Sequence, residues 1–366
     1  MKTLVYSLLA VTAIAAIATS LYLQHPKFGR LPEGERLTRI QQSPNYVDGE
    51  FRNLIDTPMF TSEKSFVQVL LENLSSTGAQ LRPGGPVPSI KTDLHGLDPD
   101  LDVIIWLGHS SFYVQLGGKR LLIDPVFSAS AAPLSLFNRA YAGSNPYTAA
   151  DMPAIDALLI THDHWDHLDY PSVEAVREKV DRIVVPLGVG EYFEQWGFDQ
   201  HRVFEGDWFD QTALNDIAVT LVPARHYSGR MLTRRRTLWT GYVLESADKR
   251  LLFSGDSGYG PHFAAMRERF GRFDFATLDT GQYDTRWAYI HMNPEEAARA
   301  AAELGTRILL PSHVGKFTLA KHAWDEPFTW LAEASTGQPF QLVTPQIGEP
   351  VNLSDASHLP TERWWQ

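Results

Sequence analysis

Residues 157–169 read ALLITHDHWDHLD, a strand-length apolar run followed at once by three histidines and three acids. Successive side chains of an extended segment point to opposite sides, so His162 and His164 project to the same side and can bind one ion. Asp166 and His167 lie past the bend and can reach a second ion nearby. Crowding so many titratable groups together costs stability unless a cation compensates them. The segment therefore predicts a metal site at the end of a buried strand.

Further candidate ligands lie in similar settings along the chain. His226, Asp256 and His313 each follow a strand-length apolar run and have a glycine nearby. Imidazole and carboxylate are the ligands that zinc takes when thiolates are absent, and this chain has no cysteine. Two ions about 3.5–4 Å apart would activate one shared water. The same ligands also accept iron or manganese, so the donor set leaves the identity of the metal open.

Composition narrows the class of protein. The 366 residues are 44% hydrophobic and include 19 Phe, 13 Tyr and 10 Trp, which predicts a folded chain of one large or two modest domains. Because cysteine is absent, disulfides and a cysteine nucleophile are excluded. A net charge of -11 argues against nucleic acid as a partner, since nucleic-acid binders carry a basic surface.

The chain divides into three segments that differ in amino-acid composition. Residues 1–25 contain the uncharged run Thr3–Leu23, which is long enough to span a membrane as a signal anchor. Ala16-Ile17-Ala18 would also serve as a cleavage site, so a signal peptide stays an alternative. Residues 26–95 form an arm rich in Pro, Gly and Ser, with one helix expected around 62–74. Residues 96–366 form the predicted main domain, which carries the candidate metal ligands. We expect this domain to be exported to the periplasmic or extracellular side. The cytoplasmic side stays open as an alternative, because charges flank the apolar run on both sides.

From residue 101 onwards, short apolar runs alternate with a few helical segments. The expected strands are rich in branched and aromatic residues and are bounded by Gly, Pro or Asp. Helices are expected at 171–180, 262–270 and 294–304, the last with Asn293 as N-cap and Pro294 in the first turn. Strands with helices inserted among them predict an α/β fold of layered sheets with helices outside.

The motif His-x-His-x-Asp-His at 162–167 is the signature of the metallo-β-lactamase superfamily, which the chain resembles from about residue 101 to 346. More narrowly, the chain looks like the branch that contains the N-acylphosphatidylethanolamine-hydrolysing phospholipase D and the ascorbate-phosphate lactonase-like proteins. The segments that carry this likeness are Leu107–Phe112, Leu121–Ser128, Arg236–Trp239, His291–Ala297 and Pro311–Phe317. The resemblance implies an αββα sandwich.

Carried over position by position, the resemblance implies a role for each matching residue. It places His162, His164 and His226 on a first zinc, Asp166, His167 and His313 on a second, and Asp256 between both. Asp256 and Asp166 would then take part in catalysis. It also implies that Trp165 and His291 contact substrate, and that Asp124 orients the metal-binding loop from behind the ligands.

The leading hypothesis is a dinuclear zinc phosphodiesterase of the phospholipase D type, acting on N-acylphosphatidylethanolamine or a related membrane phospholipid. An alternative is a lactonase or another small-ester hydrolase that acts on a soluble substrate, either phosphorylated or not. A second alternative is a membrane-associated protein that keeps zinc for structure. Seven ligands for two ions leave open coordination positions, which favours catalysis over structure. The sequence does not indicate the oligomeric state.

Several other residues have both a functional and a structural interpretation. His109 lies in a Gly-His-Ser-Ser turn and either lines the site or stabilises the turn. Arg286 and Lys316 either meet an anionic group of the substrate or belong to a solvated face. The run 234–236 of three arginines is either a contact for anionic headgroups or a loop. The pair Trp364-Trp365 is either an interfacial anchor or part of the packing.

Overall fold

The computed structural model describes residues 2–62, 80–230 and 233–366. The helix expected around 62–74 lies almost entirely outside the described residues. The chain begins with helix α1 (Lys2–Leu23), whose stretch Thr3–Leu23 is long and apolar enough to cross a membrane and is not buried against the rest of the protein. The segment after it contains helix α2 (Gly34–Gln41) and the short antiparallel pair β1 (Tyr46–Val47) and β2 (Glu50–Phe51).

The first of two seven-stranded sheets comes from the first half of the hydrolase region and takes its last strand from the end of the chain. The spatial order is β16-β3-β4-β5-β6-β7-β8, with β16 to β5 antiparallel and β5 to β8 parallel. The strands are β3 (Val103–Trp106), β4 (Phe112–Leu116), β5 (Lys119–Ile123), β6 (Ile155–Leu159), β7 (Val180–Pro186), β8 (Val203–Gly206) and β16 (Pro350–Asn352).

The second sheet repeats this plan. Its order is β15-β14-β13-β12-β11-β10-β9, antiparallel from β9 to β12 and parallel from β12 to β15. The strands are β9 (Gln211–Leu214), β10 (Ile217–Val222), β11 (Gly241–Glu245), β12 (Arg250–Phe253), β13 (Phe275–Asp279), β14 (Ile308–Ser312) and β15 (Gln341–Leu342).

The helices lie outside the sheets, as the αββα prediction requires. They are α3 (Tyr170–Val176), α4 (Gly190–Gln195), α5 (His262–Phe270), α6 (Pro294–Leu304) and α7 (Glu326–Ala334). In β3, Ile104 packs between the sheets, whereas Val103 and Ile105 pack under α3 and α4, because neighbouring side chains of a strand face opposite sides. A third apolar cluster lies between the second sheet and helices α5 to α7. The fold-class prediction is therefore confirmed.

The predicted bounds of helices α5 and α6, 262–270 and 294–304, are the bounds that the structure shows. Asn293 caps α6 by accepting a hydrogen bond from the Glu296 amide, and the Glu296 side chain accepts one from the Asn293 amide in return. The sequence analysis does not predict helices α2, α4 and α7 or strands β1, β2, β8, β9, β13, β15 and β16. Several of these strands are short or lie at sheet edges, where the pairing partner decides the conformation more than the local sequence does.

The segment that includes α2 packs against the sandwich. Arg36 donates to the carboxylates of Glu191 and Glu205, both of which are almost fully buried. Phe51 and Ile40 are buried in a fourth apolar cluster together with Leu187, Trp208, Ala224, Leu238 and Trp239.

Candidate metal centre

The predicted ligands come from four loops, each of which follows a strand of one of the two sheets. Four residues of the 162–167 motif follow β6, and the remaining three follow β10, β12 and β14. The structure brings all seven together in two separate groups of four residues, and within each group the ligand atoms lie within 4.8 Å of one another. A third group shares Asp256 with one of them and His313 with the other, and it adds Asp279 and His291. Their assignment to individual ions stays a proposal.

The first ligand group consists of His162, His164, His226 and Asp256. Nδ1 of His164 lies 2.9 Å from Nε2 of His162 and 3.2 Å from Nε2 of His226. Oδ2 of Asp256 is 3.7 Å from Nε2 of both His162 and His226. Three imidazole nitrogens and one carboxylate oxygen thus converge on one point.

The second ligand group consists of Asp166, His167, His313 and, in addition to the predicted residues, His109. Oδ2 of Asp166 lies 3.1 Å from Nε2 of His313 and 2.8 Å from Nε2 of His109. Oδ1 of Asp256 is 3.1 Å from Nε2 of His167, and its Oδ2 is 3.3 Å from Nε2 of His313. Asp256 therefore faces both groups, which is the position that the resemblance implied.

Asp124 lies behind the ligands, at the end of β5. Its carboxylate accepts hydrogen bonds from the Thr161 amide (2.8 Å) and the Thr161 hydroxyl (2.5 Å), and it lies 2.7 Å from Nδ1 of His167. A carboxylate on Nδ1 keeps the proton there and turns Nε2 towards the metal side. The geometry is the one expected of a residue that orients a ligand.

Asp279 is a buried acid that the sequence analysis missed. It ends β13, and its Oδ2 lies 2.7 Å from Nδ1 of His291, while its Oδ1 lies 3.4 Å from Nδ1 of His313. The Ser257 amide also donates to it, at 3.0 Å. The signal that could have found Asp279 is the one that marks Asp124 and Asp256, an acid placed directly after an apolar strand.

Burial and neighbouring charges shift the pKa values of the titratable groups in this site in different directions. Burial lowers the pKa of every histidine in the first group, to about 4 for His164, so these rings are neutral and ready to bind a metal. Burial also opposes the protonation of His167 and His313, but neighbouring carboxylates outweigh it and raise the pKa of His313 to about 10 and that of His167 well above its usual value. Burial disfavours the charged forms of Asp166 and Asp256, yet the histidines hold the pKa of both carboxyls well below the usual range.

The residues present fit a pair of divalent metal ions. Nε2 of His167 and Oδ1 of Asp256 lie 3.1 Å apart, yet neither forms a hydrogen bond although both atoms are buried. Buried polar atoms are rarely left in this state. A cation would satisfy these nitrogen and oxygen atoms, and the donor set is the one that zinc, iron and manganese accept.

Four of the seven predicted ligands, His164, Asp166, Asp256 and His313, line a cavity of about 400 Å³. Trp165 and His291, the two predicted substrate contacts, both lie in its wall. The Arg230 guanidinium stacks 3.9 Å above the Trp165 ring, and Phe28 meets the same ring edge-on. His291 stacks on His313 with ring centroids 4.8 Å apart. The other wall residues are mostly apolar or aromatic, and they include Met59, Phe60, Ala131, Tyr227, Trp287, Ile290 and Leu319.

The structure separates the alternatives for several cationic residues. Lys316 is fully buried and donates to the Val126 carbonyl and the Asn145 side chain, so the hypothesis that it meets substrate is wrong. Arg286 forms a salt bridge with Asp284.

Of the three consecutive arginines, only Arg234 lines the cavity. Arg235 pairs with Glu50, and Arg236 donates to the Gly49 carbonyl. At the C-terminus, Trp364 and Trp365 pack on Phe328, which favours packing over an interfacial anchor.

Known proteins resemble this chain in sequence and in fold. A family model described as a β-lactamase superfamily domain matches residues 119–314. An uncharacterized protein of Mycobacterium tuberculosis is 36% identical over 330 residues, which cover 89% of this chain and 88% of that protein. The N-acyl-phosphatidylethanolamine-hydrolyzing phospholipase D 1 of Caenorhabditis elegans is 29% identical over 302 residues, 78% of this chain and 85% of that protein. The structure of Igni18, a metallo hydrolase from Ignicoccus hospitalis, superposes with a TM-score of 0.54 at 20% identity and covers 68% of this chain and 97% of its own.

Proposed function

This chain belongs to the metallo-β-lactamase superfamily of metal-dependent hydrolases, and from that membership we propose that it is a phospholipase D-type phosphodiesterase acting on N-acylphosphatidylethanolamine or a related membrane phospholipid. The likeness to the nematode phospholipase extends over most of both chains, which supports this substrate class above a soluble lactone.

The cavity is the observation that carries the proposal. The two ligand groups lie against one part of its wall, and apolar and aromatic side chains form most of the remainder. Arg234 adds a cation to this wall, and no acid pairs with it among the described residues. Its guanidinium lies 5.9 Å from the rings of both Phe60 and Tyr227. A phospholipid presents the matching chemistry, an anionic phosphodiester joined to apolar chains.

Two bound metal ions would lower the pKa of a shared water and supply a hydroxide nucleophile near neutral pH. The ligands would be His162, His164 and His226 for one ion and Asp166, His167 and His313 for the other, with Asp256 facing both. We propose zinc as the metal, and iron and manganese are the alternatives that metal analysis would distinguish.

The chain's own residues would position the substrate. Asp279 holds the His291 ring through Nδ1, which leaves Nε2 as the atom that can meet a phosphate or headgroup oxygen. Arg230 and Phe28 fix the Trp165 ring from two directions, so that it offers a rigid apolar wall. Helix α1 would keep the domain at the membrane that contains the lipid, with the domain on the exported side.

The product distinguishes the candidate reactions. The full chain, loaded with zinc, is incubated with vesicles of N-acylphosphatidylethanolamine in water enriched in oxygen-18, and separately with a panel of lactones. Attack on phosphorus releases phosphatidic acid that carries one heavy oxygen, whereas attack on an ester carbonyl places it in a fatty acid. Lactone opening without phosphatidic acid release would favour the lactonase alternative. Two bound ions without hydrolysis of any ester would favour a structural role.

The control variant is Asp166→Ala, which removes a proposed ligand and should abolish release of labelled phosphatidic acid. A matched surface change is Asp248→Ala in the turn between β11 and β12, where the side chain is exposed and far along the strands from the ligands. Full activity of Asp166→Ala would refute the assignment of the site.

A further inference from the structure

A β-hairpin at residues 129–140 projects from the loop that joins β5 to β6. Its stem is held by hydrogen bonds from the Ala131 amide to the Asn138 carbonyl and from the Ala140 amide to the Ala129 carbonyl, each 3.0 Å long. At the tip, the Phe137 amide donates to the Leu134 carbonyl and closes a tight turn. The hairpin is therefore an ordered element.

The tip of this hairpin is apolar and exposed. Leu134, Leu136 and Phe137 keep 47%, 79% and 60% of their surface accessible. Scattered apolar residues are common on protein surfaces, but three large ones within four positions form a patch that marks a surface for binding.

The end of helix α1 identifies what this surface meets. The Tyr22 hydroxyl donates to the Pro133 carbonyl at 2.5 Å, and the Lys27 ammonium donates to the same carbonyl at 2.8 Å and to the Tyr22 hydroxyl at 2.9 Å. The hairpin tip is thus bound to the carboxyl end of the apolar helix. Tyrosine and lysine are the residue types found at the headgroup level where a helix leaves a bilayer.

The stem of the hairpin reaches the metal cavity. Ala131 and Asn138 lie in the cavity wall, beside Phe60, which is itself 62% exposed. One short element therefore connects the end of α1 to the cavity that holds the ligand groups.

We propose that the hairpin 129–140 is a second membrane contact, which inserts Leu134, Leu136 and Phe137 into the interface of the bilayer that holds α1 and so turns the cavity mouth towards the lipid surface. This rests on the proposed function in one respect, that α1 lies in a membrane. Because Tyr22 and Lys27 both donate to the Pro133 carbonyl, the apolar tip lies beside the end of α1, where these two side chains would meet the headgroups. A substrate lipid would then pass along the hairpin into the cavity without crossing water.

Because the chain has no cysteine, single labels can test this directly. Phe137→Cys carries a fluorophore at the tip, and Ala247→Cys carries it in the turn between β11 and β12, at the end of the sheet opposite to the ligands. The full-length variants are reconstituted into phosphatidylcholine vesicles that contain a nitroxide-labelled lipid. We expect the label at 137 to be quenched by the lipid nitroxide at least threefold more than the label at 247, and to be shielded from aqueous iodide. Equal quenching at both sites would overturn the proposal. Iodide shielding that depends on protein concentration, without lipid quenching, would assign the tip to contact with a second copy and would also overturn it.

An activity measurement separates this inference from the proposed function. Phe137→Asp should lower turnover of vesicle-borne lipid about tenfold, while turnover of a short-chain soluble analogue and the metal content stay unchanged. Equal loss on both substrates would mean that the hairpin acts on the site and not on the membrane. If the wild-type chain hydrolyses no lipid but the label at 137 is quenched, the proposed function fails and the membrane contact stands.

Discussion

Replacing Asp124 with Asn should weaken metal binding although Asp124 lies outside the ligand groups. Asp124 keeps only 1% of its surface exposed. Its carboxylate accepts three hydrogen bonds, two from Thr161 and one from Nδ1 of His167. In the Asp124→Asn variant, the remaining side-chain oxygen can still accept from the Thr161 amide. The new amide nitrogen then replaces the oxygen that faced His167.

The physical consequence is a change of tautomer. An NH₂ group cannot accept the Nδ1 proton of His167, so the proton moves to Nε2, the atom that faces Asp256 and the metal side. Loss of such an orienting partner typically costs 10- to 100-fold in metal affinity or activity. This corresponds to about 1.4–2.7 kcal/mol of binding free energy. We expect the loss to fall on one of two metal equivalents, because His167 belongs to the second ligand group.

The assay is competition for zinc against a chelator of known affinity, with metal content measured after equilibrium. The matched control is Asp169→Asn, an equally isosteric change in a buried carboxylate. Asp169 accepts hydrogen bonds from the Ser172 hydroxyl and the Ser128 amide, and in the described part of the chain it forms none with a proposed ligand. We expect Asp169→Asn to keep both metal equivalents. Wild-type affinity in Asp124→Asn, or an equal loss in Asp169→Asn, would refute the orientation argument.

Three further outcomes are expected. Asp166→Ala should retain about one metal equivalent by mass spectrometry and less than about 1% of turnover, because a ligand acting in the reacting site is removed; two equivalents would contradict it. Burial lowers the pKa of Lys316 to about 7, whereas the unfolded chain keeps a lysine pKa near 10.4. Between these two pH values the unfolded state binds more protons than the folded state, so the free energy of unfolding should rise with pH by up to ~1.4 kcal/mol per pH unit. Lys316→Met should remove this slope, which denaturant titrations at pH 7 and pH 9 would measure. Gly258→Ala places a Cβ 1.9 Å from the Tyr289 carbonyl oxygen and should lower the free energy of unfolding by about 1–3 kcal/mol. An unchanged midpoint of thermal unfolding would show that the backbone before His291 can move away from the new Cβ without loss of stability.

Much of the fold could be predicted from the sequence, because the patterns that indicate strands and helices lie in short stretches of neighbouring residues. Apolar runs of strand length mark the central strands, which are buried on both faces and need no alternation. Strand β13 is the exception, since it is central but was not predicted. Helix α6 begins where Asn293 and Glu296 form a capping box, and both residues lie within one turn. Edge strands such as β15 and β16 carry no such signal, because their conformation depends on a neighbour that is distant in sequence.

For the site, the sequence by itself determined the types of the candidate ligands. An acid or histidine directly after a buried strand is visible in a few neighbouring residues, and burying such a group costs stability unless a partner compensates it. Only the tertiary structure decided which groups surround them. Asp279 became relevant because β13 lies between β12 and β14, which places its end beside His291 and His313. Lys316 and Arg234 are both basic residues, yet Lys316 is buried and Arg234 lines the cavity. Burial and proximity are properties of the packed chain, and residues far apart in sequence acquire them only when the two sheets meet.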